Sequence, residues 1–326
     1  MKISVIIISY NEKEYLPEAI ECCLQQDAFE KGMELEIIIG DDGSSDGSQE
    51  IIEQYCKQYP DIVRSFVMER NITGSVIPSF RCSNVIKRGI EEARGEYIQI
   101  LSGDDRFLQR DKISKAVAFL DQNEEYSCCY TDYRFFWDDG TEKPPRQTKK
   151  AQFSRPVLWS FEYRHISCYL FRKSVKHYLL DRFCDDTGLF FSCFLAGKAM
   201  HFQDPAFGYR QRDTGIMRTS DRVDLDLLEM LLFQDVQETG KLRRSSLAKF
   251  CVPTLRVWKY REKLKEPKYD KYFLAAQQKE GDNITCLRDW EDTSVQEKYT
   301  YYSLMVKMVF YRAVFKVLDI IETLVK

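Results

Sequence analysis

The chain has 326 residues, enough for one large domain with an appendage or for two domains. Apolar residues make up 44% of it, which supports a sizeable core and excludes a disordered chain. Its 48 basic and 51 acidic residues leave a net charge of −3, which argues against nucleic acid as the main partner.

The first hundred residues alternate between two periodicities. Ile3–Ile8 is apolar throughout, as a parallel strand covered on both faces should be, and it reads as a buried strand rather than a secretory leader. Tyr15, Leu16, Ala19, Ile20, Cys23 and Leu24 fall at helical spacing. A strand at Leu35–Ile39 follows, then a helix marked by Ile51, Ile52, Tyr55, Cys56 and Tyr59 that Pro60 ends. Ile62–Met68 reads as a strand. A helix through Val85, Ile86, Ile90 and Ala93 stops near Gly95, and Tyr97–Leu101 is the next strand. This β-α-β-α-β-α-β order predicts a mostly parallel sheet flanked by helices, with right-handed crossovers.

Beyond Asp105, Ile113 to Leu120 predicts a helix, and Tyr126–Trp137 a strand reaching a turn at Asp138-Asp139-Gly140. Residues 144–165 carry Pro, Lys, Arg and aromatics with weak periodicity and read as a loop region. Ile166–Phe171 is expected as a strand, Ser174–Leu180 as a short helix and Leu189–Ala196 as a helix. From about Asp221 a mainly helical extension is expected, with Leu225, Leu228, Leu231, Leu232 and Val236 on one helix and Tyr299–Lys326 as a long terminal one. Residues 241–271 hold eleven Lys or Arg against three acids. No apolar run reaches the roughly eighteen residues of a spanning helix. The eleven cysteines form no C-x-x-C, so zinc-ribbon and thioredoxin readings have no support, and their unpaired usage suits a reducing cytosol.

The chemistry gathers at predicted strand ends. Asp41-Asp42-Gly43-Ser44-Ser45-Asp46-Gly47-Ser48 follows the second strand, and Ser102-Gly103-Asp104-Asp105 follows the fourth. In open α/β sheets ligands bind at that edge. A carboxylate there can hold Mg²⁺ or Mn²⁺, which leave positions open for phosphates. A solvated pair of acids in a turn accounts for the same residues. Ser44, Ser45 or Asp46 can cap the following helix, which leaves Asp41 and Asp42 unexplained. Ser9-Tyr10-Asn11 ends the first strand at the same edge. Tyr10 can stack on a base, and Asn11 can cap the next helix.

Val5-Ile6-Ile7-Ile8-Ser9-Tyr10-Asn11, Gly40 to Ser48, Asn84 with Ala93-Arg94-Gly95-Glu96-Tyr97, and Leu101-Ser102-Gly103-Asp104-Asp105 together resemble family 2 glycosyltransferases with a GT-A fold. The resemblance covers residues 1 to about 215. It implies a nucleotide-diphospho-sugar donor, a divalent cation (Mn²⁺ or Mg²⁺) and inversion at the anomeric carbon. By position, Asp41 is then the base-binding acid, with Tyr10 on the base, Ser9 and Asn11 nearby, and Asp42 supporting the strand end. Asp104 contacts ribose or sugar, and Asp105 is the metal ligand. The family's usual D-x-D-D reads Ser102-Gly103-Asp104-Asp105 here, so its first acid is missing. Cys184-Asp185-Asp186-Thr187 matches the acid pair that holds the general base, which makes Asp186 the base beside Asp185. Gly208-Tyr209-Arg210-Gln211-Arg212 resembles the Tyr-Arg-x-His segment, with Arg212 in place of His and able to cover the diphosphate bidentately. His165, His177 and His201 share no ligand spacing and read as ordinary polar residues.

The expected organisation is a GT-A domain over 1–220, with a nucleotide-sugar half at 1–105 and an acceptor half at 106–220, followed by a helical extension over 221–326. The expected partners are a UDP-type donor and a saccharide or polyprenyl-linked acceptor used in glycan synthesis. The expected location is the cytoplasm, with 241–326 offering either a peripheral contact at the inner membrane face or a solvated surface, and the terminal helix either packing on the domain or pairing with a second copy. A donor-binding scaffold without turnover is the alternative. A nucleotidyltransferase ranks lower, because Ser9-Tyr10-Asn11-Glu12 stands where that class carries a Gly-rich basic loop.

Overall fold

In a computed structural model, residues 2–70, 77–143, 152–153, 165–213, 215, 220–239 and 261–277 are described. The chain divides into two compact units, Met1–Gly215 and Ile216–Lys326.

The first unit is a ten-stranded mixed sheet with helices on it. Strands β1 (Ile3–Ser9), β2 (Leu35–Asp41), β3 (Val63–Val67) and β4 (Tyr97–Ser102) alternate with helices α1 (Leu16–Leu24), α2 (Ser48–Gln58) and α3 (Pro78–Glu92). All pairings among these four strands are parallel. The interiors of β1, β2 and β4 are buried on both faces, which is why they read as apolar runs rich in Ile rather than as alternation, whereas β3 is exposed at Ser65 and Val67. Ile6, Ile38, Ile86, Ile90, Ile100 and Leu101 sit in one core, and α3 packs across β1 and β2. Burying each such side chain is worth about 1.5–3 kcal/mol.

The strand order is β3-β2-β1-β4, so the chain steps outward from β1 and then jumps back to its other side. The crevice at that reversal lies at the C-terminal ends of β1 and β4, the place such sheets bind ligands.

The second half of the unit is mixed. After the short β5 (Arg106–Phe107), helix α4 (Lys112–Gln122) leads into β6 (Tyr126–Phe136). The predicted turn at Asp138–Gly140 is present, with Gly140 at φ 82°, and β7 (Glu142–Lys143) folds back antiparallel on β6. The expected strand at Ile166–Phe171 is a 3-10 turn at Ile166–Cys168 and then β9 (Tyr169–Arg172), which is antiparallel to both β4 and β6. The expected helix after it is a 3-10 stretch, Lys173–Tyr178. Helix α5 (Asp186–Ala196) follows.

The thirteen-residue β10 (Lys198–Arg210) has no counterpart in the sequence reading. Its pairing with β6 shifts register around Phe202 to Phe207, where Asp204 and Pro205 interrupt the alternation that marks a strand. The minor β8 (Gln152–Phe153) and β5 pair with it antiparallel.

In the second unit, helix α6 (Arg222–Glu238) is capped by Asp221, whose carboxylate accepts from the N–H groups of Val223 and Asp224, both at 2.9 Å. Its buried face is Val223, Leu227, Met230, Leu231 and Val236, turned from the expected one so that Leu225 and Leu228 lie at its margin. Helix α7 (Asp270–Gln277) packs against it, and Tyr272 donates to Asp224 at 2.7 Å. Among the described residues no helix is long and apolar enough to cross a membrane. Most of the basic stretch 241–271 and all of the expected helix 299–326 lie outside the described residues.

Candidate active site

The site assembles where β1, β2 and β4 end. Ser9 stands opposite Asp41 in the parallel register, so the loops after both strands emerge together. The buried Asp41 carboxylate accepts from Ser44 N–H at 2.8 Å, Ser44 Oγ–H at 2.5 Å and Gln49 Nε2 at 3.1 Å. Gly43, at φ 73°, makes the turn that returns Ser44 to Asp41, a backbone state that side chains disfavour.

Asn11 also lies at positive φ, 54°, a region Asn tolerates. Its N–H donates to Ser44 Oγ and its side-chain oxygen accepts from Ser45 N–H, both at 2.9 Å. Helix α1 begins only at Leu16, so Asn11 does not cap it and instead ties the β1 loop to the β2 loop. The capping expected in the second loop falls to Asp46, which accepts from Ser48 N–H at 3.0 Å although Gly47 is the cap residue by position.

Asp42 is gripped from α3. Arg81 donates Nε at 2.7 Å and Nη2 at 2.5 Å to its two oxygens, a bidentate pair largely out of water. Tyr10, 39% exposed, carries the Arg70 guanidinium 3.8 Å above its ring and a hydrogen bond from Arg70 to its hydroxyl. The buried Ser9 hydroxyl has no partner among the described residues.

The end of β4 is arranged differently. Asp105 is fully buried; one oxygen accepts from the Arg210 backbone N–H at 3.0 Å and the other from Ser167 Oγ at 3.1 Å. Burial first, and then the Asp104 charge, push its carboxyl well above the usual range. His165 Nδ1 lies 3.3 Å from the same Asp105 oxygen and accepts from Ser167 N–H. Burial lowers this imidazole to about 4, which keeps it neutral, and it lies against Tyr209 with ring centroids 4.2 Å apart and planes tilted by 31°. Asp104 pairs with Arg212 Nε at 2.8 Å, and Arg212 Nη2 reaches Glu12 Oε1 at 3.0 Å. Arg210 contacts Glu18, Asp138 and the Asp104 carbonyl and lies over the Tyr15 ring.

Residues 165–167 carry the site on to α5. Ser167 and His165 face Asp105, while Ile166 N–H donates to Asp186 Oδ1 at 2.6 Å. Asp185 caps α5 by accepting from Gly188 N–H at 3.2 Å. Burial and then the neighbouring Asp186 raise its carboxyl to about 7. Three acid pairs distant in sequence thus converge on one sheet edge.

The profile described as "Glycosyl transferase family 2" matches residues 4–191, a span that holds all three acid pairs. The chain belongs to that family. It is 35% identical to an uncharacterized protein of Mycobacterium tuberculosis over 146 residues, which is 44% of this chain and 39% of that protein. It is 30% identical over 141 residues to TuaG of Bacillus subtilis, named for teichuronic acid biosynthesis, covering 43% of this chain and 49% of TuaG. The chain therefore spans less than half the length of these curated relatives. The crystal structure of residues 1–349 of Staphylococcus aureus TarS in complex with UDP-GlcNAc superposes with a TM-score of 0.62 at 18% identity, covering 85% of this chain and 80% of that one. That likeness is one of fold, and the fold is GT-A-like.

Among the described residues of this family 2 chain, no group of three or more His, Cys, Asp or Glu is set to hold a metal ion. Mg²⁺ or Mn²⁺ needs only one or two carboxylates when a diphosphate and water supply the rest, and buried Asp105 beside Asp104 fits that demand. The sequence reading gave no site role to Glu12, His165, Ser167 or Arg210, which the structure places around these acids. Glu12 had a signal, since it directly follows Ser9-Tyr10-Asn11. His165 and Ser167 had none, because only the antiparallel pairing of β9 with β4 brings them to Asp105.

Proposed function

We propose that this chain is an inverting glycosyltransferase that moves a sugar from a UDP-sugar to a saccharide or lipid-linked acceptor in cell-surface glycan synthesis. The convergence of Asp41-Asp42, Asp104-Asp105 and Asp185-Asp186 on one edge carries the reading. The proteins named above give it support from outside the chain, one named for teichuronic acid synthesis and one held in complex with UDP-GlcNAc.

In this reading residues 1–105 hold the donor and residues 106–220 the acceptor, with 221–326 as an extension. Tyr10 packs on the base, Asp41 accepts from its imide N–H, and Ser9 and Asn11 shape the pocket. Asp42 keeps Arg81 and the loop in place. Asp104 orients the ribose or sugar. Asp186 takes the acceptor hydroxyl's proton as that oxygen bonds to the anomeric carbon, and the bond from that carbon to the diphosphate breaks with its electron pair leaving on UDP. Beside Asp186, burial and then that residue's charge hold the Asp185 carboxyl at about 7. Asp105 holds the divalent cation, which when bound neutralises the departing diphosphate.

A donor-binding subunit without turnover is the competing reading, and Ser102 and the Arg212 pairings favour it. Thermal shift with nucleotide-sugars and Mn²⁺, followed by assay for released UDP, separates the two. Stabilisation by a UDP-sugar with Mn²⁺, together with UDP release, supports the transferase. Stabilisation without any release, even to water, supports the binding subunit. No stabilisation by any nucleotide-sugar overturns both.

A further inference from the structure

Glu12 is 8% exposed, and one of its carboxylate oxygens, Oε2, has no partner among the described residues. A buried carboxylate oxygen without a donor is costly, and such a group points to something the site is built to receive. Its position says what. A Cβ built on Gly103 would lie 2.3 Å from Glu12 Oε2 and 3.0 Å from the Ile8 carbonyl, so the Glu12 carboxylate lies directly against Gly103. The Gly103 N–H is held by the Ile8 carbonyl at 2.8 Å and the Glu12 N–H by Ser48 Oγ at 3.0 Å, which fixes both loops. Glu12 therefore delivers a carboxylate, from the neighbouring strand, to the loop whose first acid is replaced by Ser102. Arg212 bridges the filled oxygen of Glu12 and an oxygen of Asp104, at 3.0 and 2.8 Å, with its guanidinium 5.0 Å from the Tyr15 ring centre.

We infer that Glu12 supplies the carboxylate missing at Ser102, and that Arg212 is an internal cation occupying Glu12 and Asp104 until a divalent cation and a diphosphate displace it. The inference rests on the donor-site reading above. Arg212 and the metal compete for the same two carboxylates, so the ligand-free chain holds Mn²⁺ weakly. Once the diphosphate arrives, Arg212 exchanges carboxylates for phosphate oxygens, which its planar fork matches equally well. Cation and nucleotide then favour each other's binding, and by linkage the coupling is the same in both directions.

Free Mn²⁺, read by its electron paramagnetic resonance signal, tests this on the full chain with and without UDP. Arg212→Gln should bind Mn²⁺ alone at least tenfold more tightly than the parent. Glu12→Gln, nearly isosteric, should weaken Mn²⁺ in the presence of UDP at least tenfold while leaving UDP affinity in EDTA within twofold. Thermal melts of both variants establish that they are folded. Unchanged Mn²⁺ affinity in folded Arg212→Gln overturns the competition, and unchanged Mn²⁺ affinity in folded Glu12→Gln overturns the ligand role. If Glu12→Gln does not fold, the aliphatic Arg212→Leu must show the same tightening, and its failure to do so overturns the inference. Asp105→Ala separates this inference from its foundation. If Asp105→Ala abolishes Mn²⁺·UDP binding and Glu12→Gln does not, only the Glu12 role falls. If Asp105→Ala binds Mn²⁺·UDP as the parent does, the donor-site reading itself falls.

Discussion

At the ends of β1 and β2, Asp41 is saturated by Ser44 and Gln49, and Asp42 is clamped by Arg81. Across the same crevice, Glu12 keeps a bare oxygen, and burial with neighbouring acids holds Asp105, Glu12 and Asp185 above their ordinary range. The carboxylates of the first group are held by donors from the chain itself and form a fixed frame. In the second group negative charge is costly, and a cation, an arginine or a proton relieves that cost. Recognition surfaces gain from being prearranged, whereas groups that bind a cation or accept a proton need their charge still available.

Substitutions can break or sharpen this contrast. The largest effect is expected at Asp105, where alanine should cut transfer by about 10³-fold or more through loss of the cation's several kcal/mol, yet leave the melting temperature close to the parent's, because it removes a repelled charge. A comparable loss of transfer and of stability would mean that Asp105 is structural. Asp186→Asn should lower transfer by about 10²–10⁴-fold with UDP affinity retained, and equal rates for variant and parent would remove Asp186 as the base. Asp42→Ala should do the opposite of Asp105→Ala. It strands buried Arg81 and should destabilise the fold by about 3–5 kcal/mol, measured by chemical denaturation. An Asp42→Ala chain as stable as the parent would break the frame description.

Tyr10→Ala should weaken UDP binding by about 1–3 kcal/mol in calorimetry while leaving stability unchanged, because its ring is exposed. The effect at Asp185 is read as a dependence on pH. Its folded carboxyl titrates at about 7, above an ordinary value of about 4, so its contribution to stability is fully present below pH 4 and is lost as pH rises through 7. Asp185→Asn keeps a capping side chain and should therefore melt higher than the parent at pH 8, with the difference closing toward pH 4. A difference that does not change with pH would show that Asp185 is not strained.

The legible part of the molecule was local. Ile3–Ile8, Leu35–Ile39 and Tyr97–Leu101 announced buried parallel strands, because covering both faces demands continuous apolar side chains. The acid pairs that follow two of them were visible because a strand end is the one place where consecutive carboxylates can share a ligand. The second half was harder to read. Asp204 and Pro205 break the period of β10 at its register shifts, and the Ile166–Cys168 turn looks like a strand because burial, not pairing, sets its composition. Asn11 and Arg212 were visible as residues, but their partners were not. Asn11 staples Ser44 and Ser45, and Arg212 reaches Glu12 across the whole first unit.

By itself the sequence determined the alternation of strands and helices and the identity of the acids placed at the strand ends. These follow from periodicity and from short motifs, in which each residue's neighbours in the chain are also its physical environment. Only the tertiary structure decided which carboxylates are satisfied and which are not. That depends on donors arriving from Arg81, Ser167, Arg210 and Arg212, whose distances from the acids are set by sheet pairing and not by spacing along the chain.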